Sequence, residues 1–71
     1  VKIDDYTTIA PGAIILGSVT IGKNSYIGAN ATIKQGIKIG NNAIIGAGST
    51  VIKNVKSNDV VAGNPAKKIN Q

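Results

Sequence analysis

Branched aliphatic residues recur at every sixth position across most of the chain. The nine positions of this ladder are Ile3, Ile9, Ile15, Ile21, Ile27, Ile33, Ile39, Ile45 and Val51. A period of six fits neither the helical turn of about 3.6 residues nor the simple alternation of a long strand. A short strand followed by a turn does restore a side-chain direction at every sixth position. The pattern therefore predicts a solenoid of short strands.

A second column of small or β-branched residues follows each aliphatic residue by four positions. Its members are Thr7, Ala13, Val19, Ser25, Ala31, Ile37, Ala43, Ser49 and Val55. Positions three hexads apart resemble one another most, and Val19, Ile37 and Val55 form one such set. Three hexads thus make one coil of a three-sided prism, in which positions one coil apart stack at the inter-strand spacing of about 4.8 Å.

The predicted fold is all-β, with about three coils, or nine hexads, over residues 1–54 and a C-terminal cap over residues 55–71. In the cap, Val60–Val61 is predicted to be a strand and Gly63–Pro65 a turn. Asn24, Asn42 and Gly36 are placed at corners, because Asn and Gly tolerate the left-handed backbone that tight corners need. The apolar lower rim would leave an unpaired sheet edge, so we expect a further coil or domain before Val1.

Composition excludes several kinds of chemistry. The 71 residues contain no Cys and no His, so a disulfide, a thiolate metal site and a His base are all excluded. No apolar run approaches the roughly 20 residues of a membrane span, and we expect no signal peptide. We therefore expect a cytoplasmic protein with no metal and no membrane partner.

Eight Lys and three Asp give a net charge of +5. The Lys are scattered along the sequence, and we interpret them as solvated surface, with an anion or phosphate site as the alternative. Nucleic acid is disfavoured because stacking aromatics and Arg are missing.

One of the three predicted corners carries only small residues. Its stacked sets are Ala10, Gly28 and Gly46; Pro11, Ala29 and Ala47; and Gly12, Asn30 and Gly48. Such a strip allows an extended ligand or another backbone to approach closely. The alternative is that the turns themselves require small residues. The other two corners carry Lys, Asn, Gln, Leu and Ile at equivalent places, which favours a binding groove.

The segments Ile9–Ala13, Ile45–Val51 and Val61–Lys67 resemble the hexapeptide-repeat acyltransferases, in the branch of sialic acid O-acetyltransferases and bacillosamine N-acetyltransferases. The resemblance covers almost the whole chain. It implies a left-handed parallel β-helix that forms a homotrimer, with acetyl-CoA bound in a groove between subunits. It also implies transfer of the acetyl group to an amine or hydroxyl of a sugar or nucleotide-sugar acceptor.

The resemblance also implies which residues bind the cofactor. The pantetheine arm would follow the small-residue corner, and the nucleotide would meet the tail, where Lys67 or Lys68 would pair with a phosphate. Thr8 aligns with a His that contacts the thioester in some members, and its hydroxyl would donate there. The implied cofactor-binding residues are Thr8, Gly28, Ala29, Gly46, Ala47, Pro65, Ala66 and Lys67.

No catalytic residue is assigned in this chain. The resemblance places the family's His base immediately before Val1, so the chain as given is expected to be an inactive donor-binding core. Asp4 and Asp5 are poor replacements, since an unperturbed pKa of about 3.9 makes a weak base. A structural or trimerisation module without a ligand is the alternative function. An ice-binding β-helix would need a regular Thr array, whereas only Thr32 and Thr50 stack.

Overall fold

Eleven short strands and no helix build residues 1–69, the part of the chain that the computed structural model describes. The strands are β1 (Lys2–Ile3), β2 (Thr8–Ile9), β3 (Ile14–Ile15), β4 (Thr20–Ile21), β5 (Tyr26–Ile27), β6 (Thr32–Ile33), β7 (Lys38–Ile39), β8 (Ile44–Ile45), β9 (Thr50–Val51), β10 (Val60–Gly63) and β11 (Ala66–Lys68). Each of β1 to β9 ends on a ladder residue, as the period predicts. The last two residues of the predicted cap, Asn70 and Gln71, lie outside the described residues. No helix in residues 1–69 is long and apolar enough to cross a membrane.

Successive strands belong to three different sheets, which form the sides of a prism. The first face contains β1, β4 and β7, the second face β2, β5, β8, β10 and β11, and the third face β3, β6 and β9. From β1 to β9, neighbouring strands are parallel and come from successive coils in the same register, so that Lys2 pairs with Thr20 and Thr20 with Lys38. The predicted all-β solenoid of about three coils is confirmed.

The prism turns at residues with left-handed backbone. A positive φ recurs at every sixth position, at Tyr6, Gly12, Ser18, Asn24, Asn30, Gly36, Asn42 and Gly48. Corner I joins the first and second faces (residues 4–7, 22–25, 40–43 and 56–59), corner II the second and third (10–13, 28–31 and 46–49), and corner III the third and first (16–19, 34–37 and 52–54). The corners predicted at Asn24, Asn42 and Gly36 are confirmed.

The aliphatic ladder fills the interior of the prism. Six of its nine residues are buried, from Ile21 to Val51, whereas Ile3 is 47% exposed in the lowest layer of the described structure. The column of small residues completes this core. Its buried hydroxyls are satisfied: Ser25 Oγ donates to the Gly40 carbonyl at 2.7 Å and accepts from the Ala43 amide at 3.2 Å.

Above Val51, the sequence separation between paired positions of successive coils is smaller by two residues. Val55 bridges to Ile39, and Val61 pairs with Ile45, and both pairs show this shorter offset. The expectation that Val55 stacks on Ile37 is therefore wrong, because Val55 continues the aliphatic ladder on the first face.

A hairpin closes the upper end of the prism. The chain turns at the cis peptide bond Asn64–Pro65, and β11 then returns antiparallel to β10. The strand predicted in the cap is confirmed and extends to Gly63, so that of the predicted turn Asn64 and Pro65 form the turn itself.

Candidate functional site

Corner II presents an uncharged strip of small residues parallel to the prism axis. Gly28 lies below Gly46, and Ala29 lies below Ala47. The coils are joined here by backbone hydrogen bonds, from the Gly28 amide to the Ile45 carbonyl and from the Gly48 amide to the Ala29 carbonyl, both 2.8 Å. Four of the predicted binding residues are thus brought together.

The four residues differ in their access to solvent. Ala47 is exposed, Ala29 and Gly46 are partly exposed, and Gly28 is buried. A Cβ atom at Gly28 would lie 2.5 Å from the Ala47 nitrogen and 2.7 Å from the Ile45 oxygen. The next coil therefore requires glycine at position 28. A ligand on this corner would touch Ala29, Gly46 and Ala47 instead.

Gly28→Ala is expected to destabilise the chain by about 2 kcal/mol, because an added methyl group in a packed site forces the backbone to shift. Gly17→Ala is the matched control. It also lies at a corner, but its added Cβ would meet no atom within 4 Å. Thermal denaturation of the two variants tests the difference. A Gly28→Ala variant as stable as Gly17→Ala would contradict close packing between the coils.

The cap hairpin lies over the upper end of corner II. A Cβ atom at Gly46 would lie 3.0 Å from the Ala62 Cβ, and the Gly63 amide donates to Ser49 Oγ at 3.1 Å. Lys67 is directly opposite Ala62 in the hairpin, and opposite residues of an antiparallel pair share one side. Lys67 is therefore on the side of the hairpin that adjoins the strip.

Lys68 is on the other side of β11 and is already paired. Its Nζ lies 3.4 Å from Asp59 Oδ1, and this is the one ion pair within residues 1–69. Lys67 is exposed and takes part in no ion pair in that part of the chain. Of the two lysines that the sequence left open, Lys67 is the one available to an anionic ligand.

Pro65 and Ala66 line a cavity of about 340 Å³ at the upper end of the prism. Val51, Val55 and Val61 also line this cavity, and Ala66 packs against the core. These two predicted residues therefore face the end of the prism, and Lys67 and Lys68 line the same cavity.

Thr8 lies apart from the other predicted residues, on β2 in the lowest coil of the second face. It is exposed and pairs with Tyr26 on β5. Three coil spacings, or about 14 Å, separate it from β10. A ligand reaching from Thr8 to Lys67 would have to run along the prism axis.

An outward apolar column on the second face, not recognised in the sequence, adjoins corner II. Tyr26 is 43% exposed and Ile44 is 44% exposed, and Val60 lies above them on β10. The sequence signal for this column is the outward position of the second-face hexads, which recurs once in each coil as Thr8, Tyr26 and Ile44.

A family model described as the hexapeptide repeat of succinyl-transferase matches residues 18–53, about half of the chain. The chain belongs to the hexapeptide-repeat family. The left-handed parallel β-helix that the sequence resemblance implied is thereby confirmed. A search of curated proteins found no match.

Three solved structures show how the hexapeptide-repeat chain compares with larger proteins. The acetyltransferase domain of PglB from Neisseria gonorrhoeae is 36% identical, with a TM-score of 0.93 over 94% of this chain and 33% of that chain. WeeI from Acinetobacter baumannii is 37% identical, with a TM-score of 0.87 over 96% of this chain and 37% of that chain. PerB from Caulobacter crescentus, in complex with CoA and GDP-perosamine, is 29% identical, with a TM-score of 0.86 over 87% of this chain and 30% of that chain. The chain spans about a third of the length of these three proteins.

Proposed function

We propose that this chain is the acetyl-CoA-binding core of an acetyltransferase that modifies a sugar amine or hydroxyl. The strip of small residues at corner II, with Lys67 at its upper end, is the observation that carries the proposal. Two similar structures support it: a structure of the PglB domain contains acetyl coenzyme A, and that of PerB contains CoA and GDP-perosamine.

In this proposal the donor lies along corner II. The pantetheine arm follows Ala29, Gly46 and Ala47, where no long side chain obstructs it. The Lys67 ammonium group meets a phosphate of CoA as a point charge. The Thr8 hydroxyl, at the lower end of the second face, donates to the thioester carbonyl.

The chemical step is attack of the acceptor amine or hydroxyl on the thioester carbonyl carbon. A base takes the acceptor's proton, the carbon–sulfur bond breaks, and the leaving thiolate of CoA takes up that proton to become the thiol. The chain has no His, and we assign the base to none of its residues. Its own residues serve to bind and orient the donor.

Lys67→Gln is expected to weaken acetyl-CoA binding about tenfold, because a hydrogen bond to a charged group contributes about 1.5 kcal/mol or more. Lys68→Gln is the matched control and should change the affinity less than about twofold, since Asp59 already holds Lys68. Calorimetric titration of the chain and the two variants measures this. A larger loss in Lys68→Gln would contradict the assignment.

The same titration tests the proposed function against its alternative. Saturable binding at one acetyl-CoA per chain is the expected result. A folded, trimeric chain that binds no acetyl-CoA would instead favour a structural module.

A corner of a prism is convex, whereas small-molecule sites are concave and bury most of the ligand. A neighbouring subunit would supply the missing wall of the groove, so we propose a homotrimer in which the apolar column of Tyr26 and Ile44 contacts that subunit. We also propose a cytoplasmic location, on the ground that the donor substrate is available there.

Ile44→Lys is expected to convert the trimer to monomers, because a charge would be buried in the subunit contact without a partner. Thr20→Lys makes the same kind of change on the first face, where Thr20 is exposed, and should leave the assembly intact. Sedimentation equilibrium distinguishes the two outcomes. A trimeric Ile44→Lys variant would place the subunit contact on another surface.

A further inference from the structure

The lysines of the β-helix are scattered in the sequence but gathered on one side of the prism. The six are Lys2 and Lys38 on the first face, Lys23 and Lys56 on corner I, and Lys34 and Lys53 on corner III. All six are exposed. Between residues 8 and 51, the second face, the third face and corner II contain no charged residue. The prism thus has one cationic side and two uncharged sides.

Acidic residues offset the charge of these six lysines only in the lowest coil. Asp4 and Asp5 lie on corner I in the lowest coil, and Asp59 is paired with Lys68 of the cap. None of the six lysines makes an ion pair within the described residues. The excess positive charge is therefore greatest in the upper coils, around Lys34, Lys38 and Lys53.

Corner III adds exposed apolar side chains to this cationic side. Leu16 and Ile52 are each 42% exposed, and they occupy the same corner as Lys34 and Lys53. Apolar side chains flanked by lysines are typical of surfaces that lie in the headgroup region of a bilayer, where the long Lys stem accompanies the apolar residues. Recognition of nucleic acid relies instead on Arg and stacking aromatics. The chain has no Arg, and the first face and corner III have no aromatic residue.

We propose that Leu16, Lys34, Lys38, Ile52 and Lys53 form a docking surface for an anionic lipid bilayer. Leu16 and Ile52 enter the headgroup region, and the three lysines attract anionic headgroups. The proposal does not depend on acetyl-CoA binding. It replaces the expectation of no membrane partner, which rested on the lack of a membrane-spanning run, because a surface that lies in the headgroup region needs no such run. It is compatible with the proposed trimer, since the apolar column of the subunit contact lies on the uncharged second face.

Co-sedimentation of the full chain with vesicles tests the proposal. We expect binding to phosphatidylcholine vesicles that contain roughly a third phosphatidylserine, loss of binding at high salt, and no binding to phosphatidylcholine alone. Equal binding to both kinds of vesicle, or binding to neither, would overturn the proposal.

Two double variants distinguish binding through the docking surface from attraction that depends only on the net charge of the chain. Lys34→Gln with Lys53→Gln is expected to weaken vesicle binding about 25-fold, or about fivefold for each lysine. Lys23→Gln with Lys56→Gln changes the net charge equally but lies on corner I, outside the docking surface, and should weaken binding less than about threefold. An equal loss in both would mean that only net charge matters, and the docking surface would be wrong.

A third double variant distinguishes a bilayer from another polyanion. Leu16→Ser with Ile52→Ser leaves the charge unchanged, and both positions are exposed, so circular dichroism should match that of the parent chain. We expect vesicle binding to fall at least about fivefold, since two apolar side chains no longer enter the bilayer. Undiminished vesicle binding would overturn the proposal. So would tighter binding of the parent chain to a short DNA duplex than to the vesicles.

Discussion

Replacing Ile27 with Asp is expected to unfold the chain. Ile27 is fully buried in the second-face ladder, between Ile9 below and Ile45 above. A carboxylate at this point would have no partner, and an unpaired buried charge costs several kcal/mol. A single core of this size supplies only about 3–5 kcal/mol of stability, so the substitution removes most or all of it. Circular dichroism and thermal denaturation measure the effect.

Thr20→Asp is the control for this experiment. Thr20 occupies the outward position of β4, where it is exposed, so the same carboxylate there remains in water. That variant should be folded and lose less than about 1 kcal/mol. If the Ile27→Asp variant is soluble and unfolds cooperatively at the same temperature as the parent chain, the ladder does not form the interior of the prism.

The second large effect is expected at the exposed part of the strip of small residues at corner II, along which the donor is proposed to lie. Ala47→Trp should weaken acetyl-CoA binding at least about 100-fold, or about 2.7 kcal/mol, because the indole would occupy the path of the pantetheine arm. Ala47 is exposed, and its φ is not among the positive values at the corners, so the larger side chain needs no change of backbone. Calorimetric titration and circular dichroism together separate lost binding from lost structure.

Gln35→Trp provides a control of the same chemical kind. Gln35 has the equivalent position at corner III, two hexads earlier in the chain, and is also exposed. It is expected to bind acetyl-CoA as the parent chain does. If Ala47→Trp binds equally well, the donor site lies elsewhere on the prism.

The strict period explains why the fold could be predicted from the sequence. A repeat of six fixes both the inward residue and the corner residue, and the closer similarity between every third hexad fixes which coils stack. Val55 shows where this reasoning fails. A Val fits the narrow column of Ile37 and the ladder of Ile39 equally well, so the residue type does not reveal that the path above Val51 is shorter.

The candidate site was predictable to the extent that it follows the same repeat. Gly28 and Gly46, like Ala29 and Ala47, come together because one full coil separates the members of each pair. The burial of Gly28, in contrast, depends on how closely the backbone of the next coil approaches. The distinction between Lys67 and Lys68 depends on the pairing register of the hairpin, about which the hexad pattern contains no information.

The constant offset between coils has a consequence for how the chain folds. From Lys2 to Val51, each strand finds its hydrogen-bonding partner one full coil away along the chain, so no strand pair is local. The first two coils to meet must close a loop of this length before any ladder exists, which makes initiation slow. Every later coil closes a loop of the same length but meets a finished ladder, so its strands gain hydrogen bonds and core contacts at once. We therefore expect the prism to grow from one nucleus in steps of one coil, as a one-dimensional array does.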